Sequence, residues 1–197
     1  MTKETARCPE WVISACLCGD PVRYDGRAFF YPPLVELVES GRALKICPEC
    51  LGGLSVPRAP CERQDDGRVL DSGNRDRTAA FLSGAEQVLA LCLRHGIQKA
   101  ILKEKSPSCG VRFRYDGSFA GRLISGEGLT AQLLRSHGIA VYSEEDLPDL
   151  FGYKSLTSRE NSFIMKIPLN GGVKVSTGFV SLGKRVAVRA RFKIRNF

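Results

Sequence analysis

Four short apolar runs, separated by segments of helical periodicity, constrain this chain more than any other feature. They are "EWVISACL" (10–17), "ALKICPE" (43–49, cut by Pro48), "KAILKEKS" (99–106) and "IAVYSEEDL" (139–147). Runs this short and this continuously apolar suit strands buried on both faces. Between them, "YPPLVELVESG" (31–41) places its prolines where a first helical turn accepts them, sets Leu34, Leu37 and Val38 on one face, and stops at Gly41. "RDRTAAFLSGAEQVLALCLRHG" (75–96) is the longest helical pattern, with Gly96 as its stop, and "GLTAQLLRSHG" (128–138) is another. His95 and His137 precede the helix-stopping glycines and read as partners of the helix dipole rather than as ligands. Residues 51–75, rich in Gly, Pro, Asp and Arg, read as a long surface excursion, and "RYDGSFAG" (114–121) as an Asp-Gly turn. Strands alternating with helices predict an α/β fold: a single three-layer domain over residues 8–150, with a mostly parallel sheet covered on both faces.

In such sheets ligands bind beyond the carboxyl ends of the strands. Cys16 ends the first run, Cys47 the second, and Cys109 lies just past the third, so all three belong to one edge. They stand 31 and 62 residues apart, too far for a local metal finger. The 197-residue chain holds eight cysteines. It shows no apolar stretch of ~20 residues to span a membrane, and no signal-peptide core at its start, which predicts a cytoplasmic protein. In a reducing compartment the cysteines are packing residues, metal or cluster ligands, or nucleophiles rather than a disulfide framework. Cys92, within an apolar helix, is expected in the core. Three arrangements remain for the others. Cys16-x-Cys18 with Cys47-x-x-Cys50 would supply the four sulfurs of a structural zinc, in a zinc-stabilised, non-catalytic ligand-binding domain. Cys47-Pro-Glu-Cys50 has the spacing of a redox pair. An iron–sulfur cluster held by three cysteines would keep one iron open.

Eight segments in order, "ISACLCG", "VRYDG", "CPECLGGL", "PRAPCE", "FLSGAE", "ILKEKSPSCG", "YDGSFAG" and "GEGLTAQLL", resemble the successive motifs of the thiouracil desulfidase family from about residue 10 to 145. The resemblance implies a compact α/β domain that binds a 4Fe–4S cluster through Cys16, Cys47 and Cys109, the same cysteines that strand-end placement brings together. It implies a non-redox desulfidase: the open iron takes the sulfur of a thiolated pyrimidine, a small-molecule nucleobase, and water replaces that sulfur at the ring carbon. A soft thiocarbonyl sulfur suits iron, and water attack requires a base. Glu49, two residues past Cys47, is the expected acid/base, and Ser106 matches a substrate-contacting position in the family. Ser14 is expected to line the pocket, and Ser108 to contact substrate or a cluster sulfur. "LGG" (51–53) would let backbone approach the ligand, and Arg23, Arg58 and Lys103 would offset the cluster's negative charge. Cys18 and Cys50 replace usual aliphatic residues and keep zinc, a fourth ligand or a persulfide relay in play. Cys61 in "PRAPCE" and Arg77 also depart from the pattern.

The net charge of +8 is concentrated in residues 151–197, which hold ten Lys/Arg against one Glu, so the body is close to neutral. This basic C-terminal extension alternates from Val186 to Ile194 with Arg and Lys between. An added hairpin or a disordered extension is its favoured reading, ahead of a guide for nucleic acid.

Overall fold

The computed structural model describes residues 8–152; the extension expected beyond 152 lies outside the described residues. Four parallel strands form the central sheet: β1 (Trp11–Ser14), β2 (Ala43–Ile46), β5 (Lys99–Leu102) and β8 (Ala140–Ser143), in the order β2-β1-β5-β8. Every residue of β1 is buried, as its central position and its unbroken apolar sequence require. Helices α3 (Thr78–His95) and α4 (Leu129–Ser136) cover one face, burying Val88, Cys92, Ala131 and Leu134 against Val12, Ala100 and Leu102. Helices α1 (Pro32–Glu39) and α5 (Leu147–Phe151) cover the other, where Leu34, Leu37 and Leu147 meet Ile13 and Ile101. The Trp11 ring lies 6.0 Å from those of Tyr142 and Phe151. The expected three-layer α/β arrangement is therefore present, with Cys92 fully buried in its core and Gly96 capping α3 in the left-handed conformation. His137 caps α4, its Nδ1 lying 2.9 Å from the Leu133 carbonyl.

Several boundaries differ from the sequence reading, each for a local reason. The first strand stops at Ser14, and Ala15–Leu17 turn as a 3-10 helix closed by the Cys18 amide donating to the Ala15 carbonyl, 3.0 Å. Cys16 thus sits beyond the strand. Pro48 does not merely end β2: it opens the four-residue helix α2 (Pro48–Leu51), with Cys47 as its N-cap. The third strand ends at Leu102. The excursion holds a two-stranded hairpin, β3 (Cys61–Arg63) with β4 (Val69–Asp71), and the Asp-Gly turn sits between β6 (Phe113–Tyr115) and β7 (Leu123–Ser125). The two hairpins touch through Glu62, whose Oε2 accepts from the Gly117 and Phe119 amides at 2.9 and 3.0 Å. Among the described residues no helix is long and apolar enough to cross a membrane.

The strand order puts a switch point between β1 and β5: the chain leaves β1 toward β2 on one side and returns to β5 on the other. Crevices open at the carboxyl ends of strands flanking such a point.

Candidate active site at the sheet's carboxyl edge

A cavity of about 430 Å³ opens there. The end of β1 supplies Ser14 and the turn after it Cys16, the β2–α2 junction supplies Cys47 and Glu49, and the loop after β5 supplies Lys103, Ser106 and Cys109. Cys16 and Cys109 are buried and Cys47 is half-buried. Desolvation dominates all three thiols. It holds Cys16 well above the ordinary thiol range, with further upward pushes from Cys109 and Cys47. Cys47 is pushed up to about 12 by burial, then by the charges of Cys109 and Cys50, against a lowering backbone bond from Cys50. Cys109 is raised to about 11 by burial, against lowering contacts led by Ser14. Cys109 raises both Cys16 and Cys47, and Glu49 raises Cys109, so the three thiols share one electrostatic environment. A positively charged metal group relieves that stress by taking them as thiolates.

Ser14 bridges two of these elements. Its hydroxyl accepts from the Lys103 amide at 3.0 Å and donates to Cys109 Sγ at 3.5 Å. Glu49 is held from two sides. Arg58 reaches its Oε2 with Nε at 2.8 Å and Nη2 at 2.7 Å, and Ser106 Oγ lies 3.5 Å from its Oε1. Ser106 Oγ also accepts from the Ser108 and Cys109 amides at 3.1 and 3.0 Å, so its one hydrogen is left for Glu49. This serine is both a turn cap and a neighbour of the carboxylate.

The loop bearing Ser106 and Cys109 is organised by Glu104, only 2% exposed. Its Oε1 accepts from the amides of Lys105, Val111, Arg112 and Phe113 at 3.0–3.2 Å. Burial opposes its charge, yet these backbone donors prevail and hold the carboxyl below its usual range.

The sequence model of the family described as 2-thiouracil desulfurase matches residues 11–146. This chain belongs to the 2-thiouracil desulfurase family. It is similar to the uncharacterized protein YbbK of Bacillus subtilis (strain 168), 36% identical over 148 residues, covering 71% of this chain and 98% of that one. Among solved structures it is similar to the [4Fe-4S]-dependent thiouracil desulfidase TudS. That match has 50% identity and a TM-score of 0.69, over 72% of this chain and 95% of that one.

Within this 2-thiouracil desulfurase scaffold, not every residue singled out from sequence reaches the cavity. Ser108 is fully buried beneath the loop, its hydroxyl 2.8 Å from Thr130 Oγ1, and it does not line the cavity. Cys18 lies in the apolar core, raised to about 12 by burial, with Lys45 and Asp20 as its charged neighbours. Cys50 Sγ stands 4.0 Å from the Val22 carbonyl, which also faces Cys47 Sγ at 3.8 Å. Among the described residues no three His, Cys, Asp or Glu side chains are spaced to share one metal ion, so the four-sulfur zinc set is not assembled. Cys16, Cys47 and Cys109 line one cavity instead, a set of soft sulfur donors that would suit an iron–sulfur group.

The expected charge-offsetting cations have carboxylate partners. Arg58 is paired with Glu49, Lys103 with Glu144, and Arg23 with Asp25, its guanidinium also 4.7 Å from the Phe29 ring centroid. Within "LGG", Gly52 is pressed against protein backbone: a Cβ on it would fall 1.9 Å from the Ala80 carbonyl oxygen, and one on Gly84 the same distance from that of Pro48, while residues 51–53 are not among those lining the cavity. This close crossing of α2 and α3 seats Cys47 and Glu49. Arg77, unexplained from sequence, donates from Nε to the buried Asp71 at 3.0 Å. Cys61, Glu62, Glu104 and Phe119 line the cavity without having been foreseen there. All four fall inside family-like motifs, "PRAPCE", "ILKEKSPSCG" and "YDGSFAG", and that position is the one signal that could have flagged them.

Proposed function

We propose that this cavity removes sulfur from thiolated pyrimidines such as thiouracil by non-redox, hydrolytic C–S cleavage, with Cys16, Cys47 and Cys109 holding a 4Fe–4S cluster that leaves one iron open. The observation that carries the reading is the gathering of these thiols, from three separate strand ends, in one cavity with a carboxylate–serine pair. The family match and the cluster-dependent TudS relative support it. When bound, the cluster supplies a Lewis-acidic iron for the soft thiocarbonyl sulfur.

The chain's own groups then have defined tasks. Glu49, fixed by Arg58, takes a proton from the attacking water. Ser106, whose amide contacts leave its hydrogen for Glu49, steadies the Oε1 side of that carboxylate. Ser14 stabilises Cys109 as a thiolate by donating to its sulfur. The water oxygen becomes the ring carbonyl, sulfur leaves as sulfide, and no electrons enter or leave. Eight free cysteines suit a reducing compartment such as the cytoplasm.

The test is sulfide release from 2-thiouracil by anaerobically reconstituted full-length protein, without added oxidant or reductant. Uracil and sulfide are expected in equal amounts. Iron-loaded protein that releases neither from any thiopyrimidine would overturn the reading.

A further inference from the structure

The tip of the β6–β7 hairpin overhangs the cavity and carries an aromatic residue in a costly conformation. Phe119 has φ of +58° and is 39% exposed, yet it lines the cavity. Bulky side chains rarely occupy the left-handed region, and residues that do so concentrate at functional sites. Among the described residues, Asn74, Lys105 and Phe119 are the non-glycine residues with positive φ. Asn74 is of a type that tolerates it, and the other two both line this cavity.

Phe119 does not sit on a slack loop. Its amide and that of Gly117 donate to the largely buried Glu62, which is mounted on the other hairpin. Gln64 Nε2 donates to the Gly117 carbonyl at 3.1 Å, and Asp116 Oδ1 accepts from the Ser118 amide at 3.0 Å. The tip is thus held on both sides while part of Phe119 stays exposed at the cavity. The cavity's other phenylalanine is already engaged: Phe29 carries Arg23 at 4.7 Å and Lys103 at 5.1 Å from its centroid. Among the described residues, Phe119 pairs with no aromatic ring and no cation.

We infer that Phe119 is the specificity-determining residue that stacks on a flat heterocycle, holding the pyrimidine ring while the sulfur faces the three-cysteine wall. The inference rests on the thiopyrimidine reading of this cavity and adds the feature that selects a ring over an open-chain thiocarbonyl. A face of this kind accepts any planar base, because stacking requires no hydrogen-bond code.

Uracil separates stacking from sulfur chemistry, because it has the ring without the thiocarbonyl. Equilibrium dialysis of uracil against anaerobically reconstituted full-length protein should show Phe119→Ala weakening binding roughly 5- to 100-fold, the range expected for losing one stacked aromatic. Phe119→Tyr should bind within about twofold of wild type. KM for 2-thiouracil should rise with the same factor in Phe119→Ala. Equal uracil affinity in Phe119→Ala and wild type would overturn the inference, as would equal loss in the Tyr variant or no uracil binding by wild type. Wild-type protein that binds uracil through Phe119 but releases no sulfide would uphold stacking while removing the desulfidase reading.

Discussion

Removing the Glu104 carboxylate should cost this protein several kcal/mol of stability, about 2–4, at the edge of its cavity. Four amides converge on Oε1 at 3.0–3.2 Å, and Val111, one of the donors, is buried. One oxygen has two lone pairs, so four donors cannot each form a full-strength bond; two bonds' worth is the defensible count. Hydrogen bonds to a charged group contribute about 1.5–3 kcal/mol each, giving ~3–6 kcal/mol. Against this, Oε2 is buried without a hydrogen bond, 3.8 Å from Arg112 Nε, which takes back ~1–2 kcal/mol. Glu104→Ala should therefore destabilise by ~2–4 kcal/mol, and Glu104→Gln by less, since its carbonyl oxygen still accepts. With m near 2 kcal/mol/M, the urea midpoint should fall by about 1–2 M in the alanine variant. Because the folded carboxyl is held below its ordinary value, its contribution is present above the unfolded pKa of about 4.3 and lost as pH falls through the folded value. The gap between wild type and Glu104→Ala should be full at pH 7 and shrink below pH 4. A midpoint change under 0.3 M at pH 7, or a gap independent of pH, would refute this account of the loop.

Replacing Cys16, Cys47 or Cys109 by Ser should each abolish retention of iron after anaerobic reconstitution, while Cys18→Ser, altered in the core away from the cavity, should keep it; iron and labile sulfide assays decide. Arg58→Lys preserves charge but not the two-pronged grip on Glu49, so sulfide release should slow about tenfold with iron content unchanged; unchanged turnover would show that Glu49 needs no such holder. Gly84→Ala drives a methyl to 1.9 Å from a backbone carbonyl that cannot rotate away. A cost of ~1–3 kcal/mol should lower the Tm by about 3–10 °C, with reduced iron because α2 carries Cys47; an unshifted melt would show that α2 yields freely.

The apolar framework was legible in the sequence because local period decides it. The runs at 10–17, 43–49, 99–106 and 139–147 each deliver a strand, Cys92 falls in the core, and Gly96 ends α3. The two hairpins were not, since strands of three residues are too short to display an alternation. They are fixed instead by distant contacts: Arg63 Nη1 to the Glu127 carbonyl at 3.0 Å, and Arg114 Nη1 to the Arg63 carbonyl at 2.6 Å. Glu104 was missed for a related reason: a charge following an apolar run reads as solvated, and only the curled loop reveals four amides in search of an acceptor.

The same contrast runs through the site. Cys16, Cys47 and Cys109 could be brought together on paper because a parallel sheet converts a position along the chain, the end of a strand, into a position in space, one edge. Inside a loop no such conversion exists. Ser106, three residues before Cys109, caps the turn and meets Glu49, whereas Ser108, immediately before the same cysteine, turns inward to Thr130. Partner choice is equally non-local: Lys103 finds Glu144 and Ser14 finds Cys109, pairs separated by 41 and 95 residues. Topology thus explains which side chains can share the cavity. What each does there is set by hydrogen bonds that close only once the loop after β5 has wrapped around Glu104, which is why the electrostatics of this site depend on a residue with no place in the reaction.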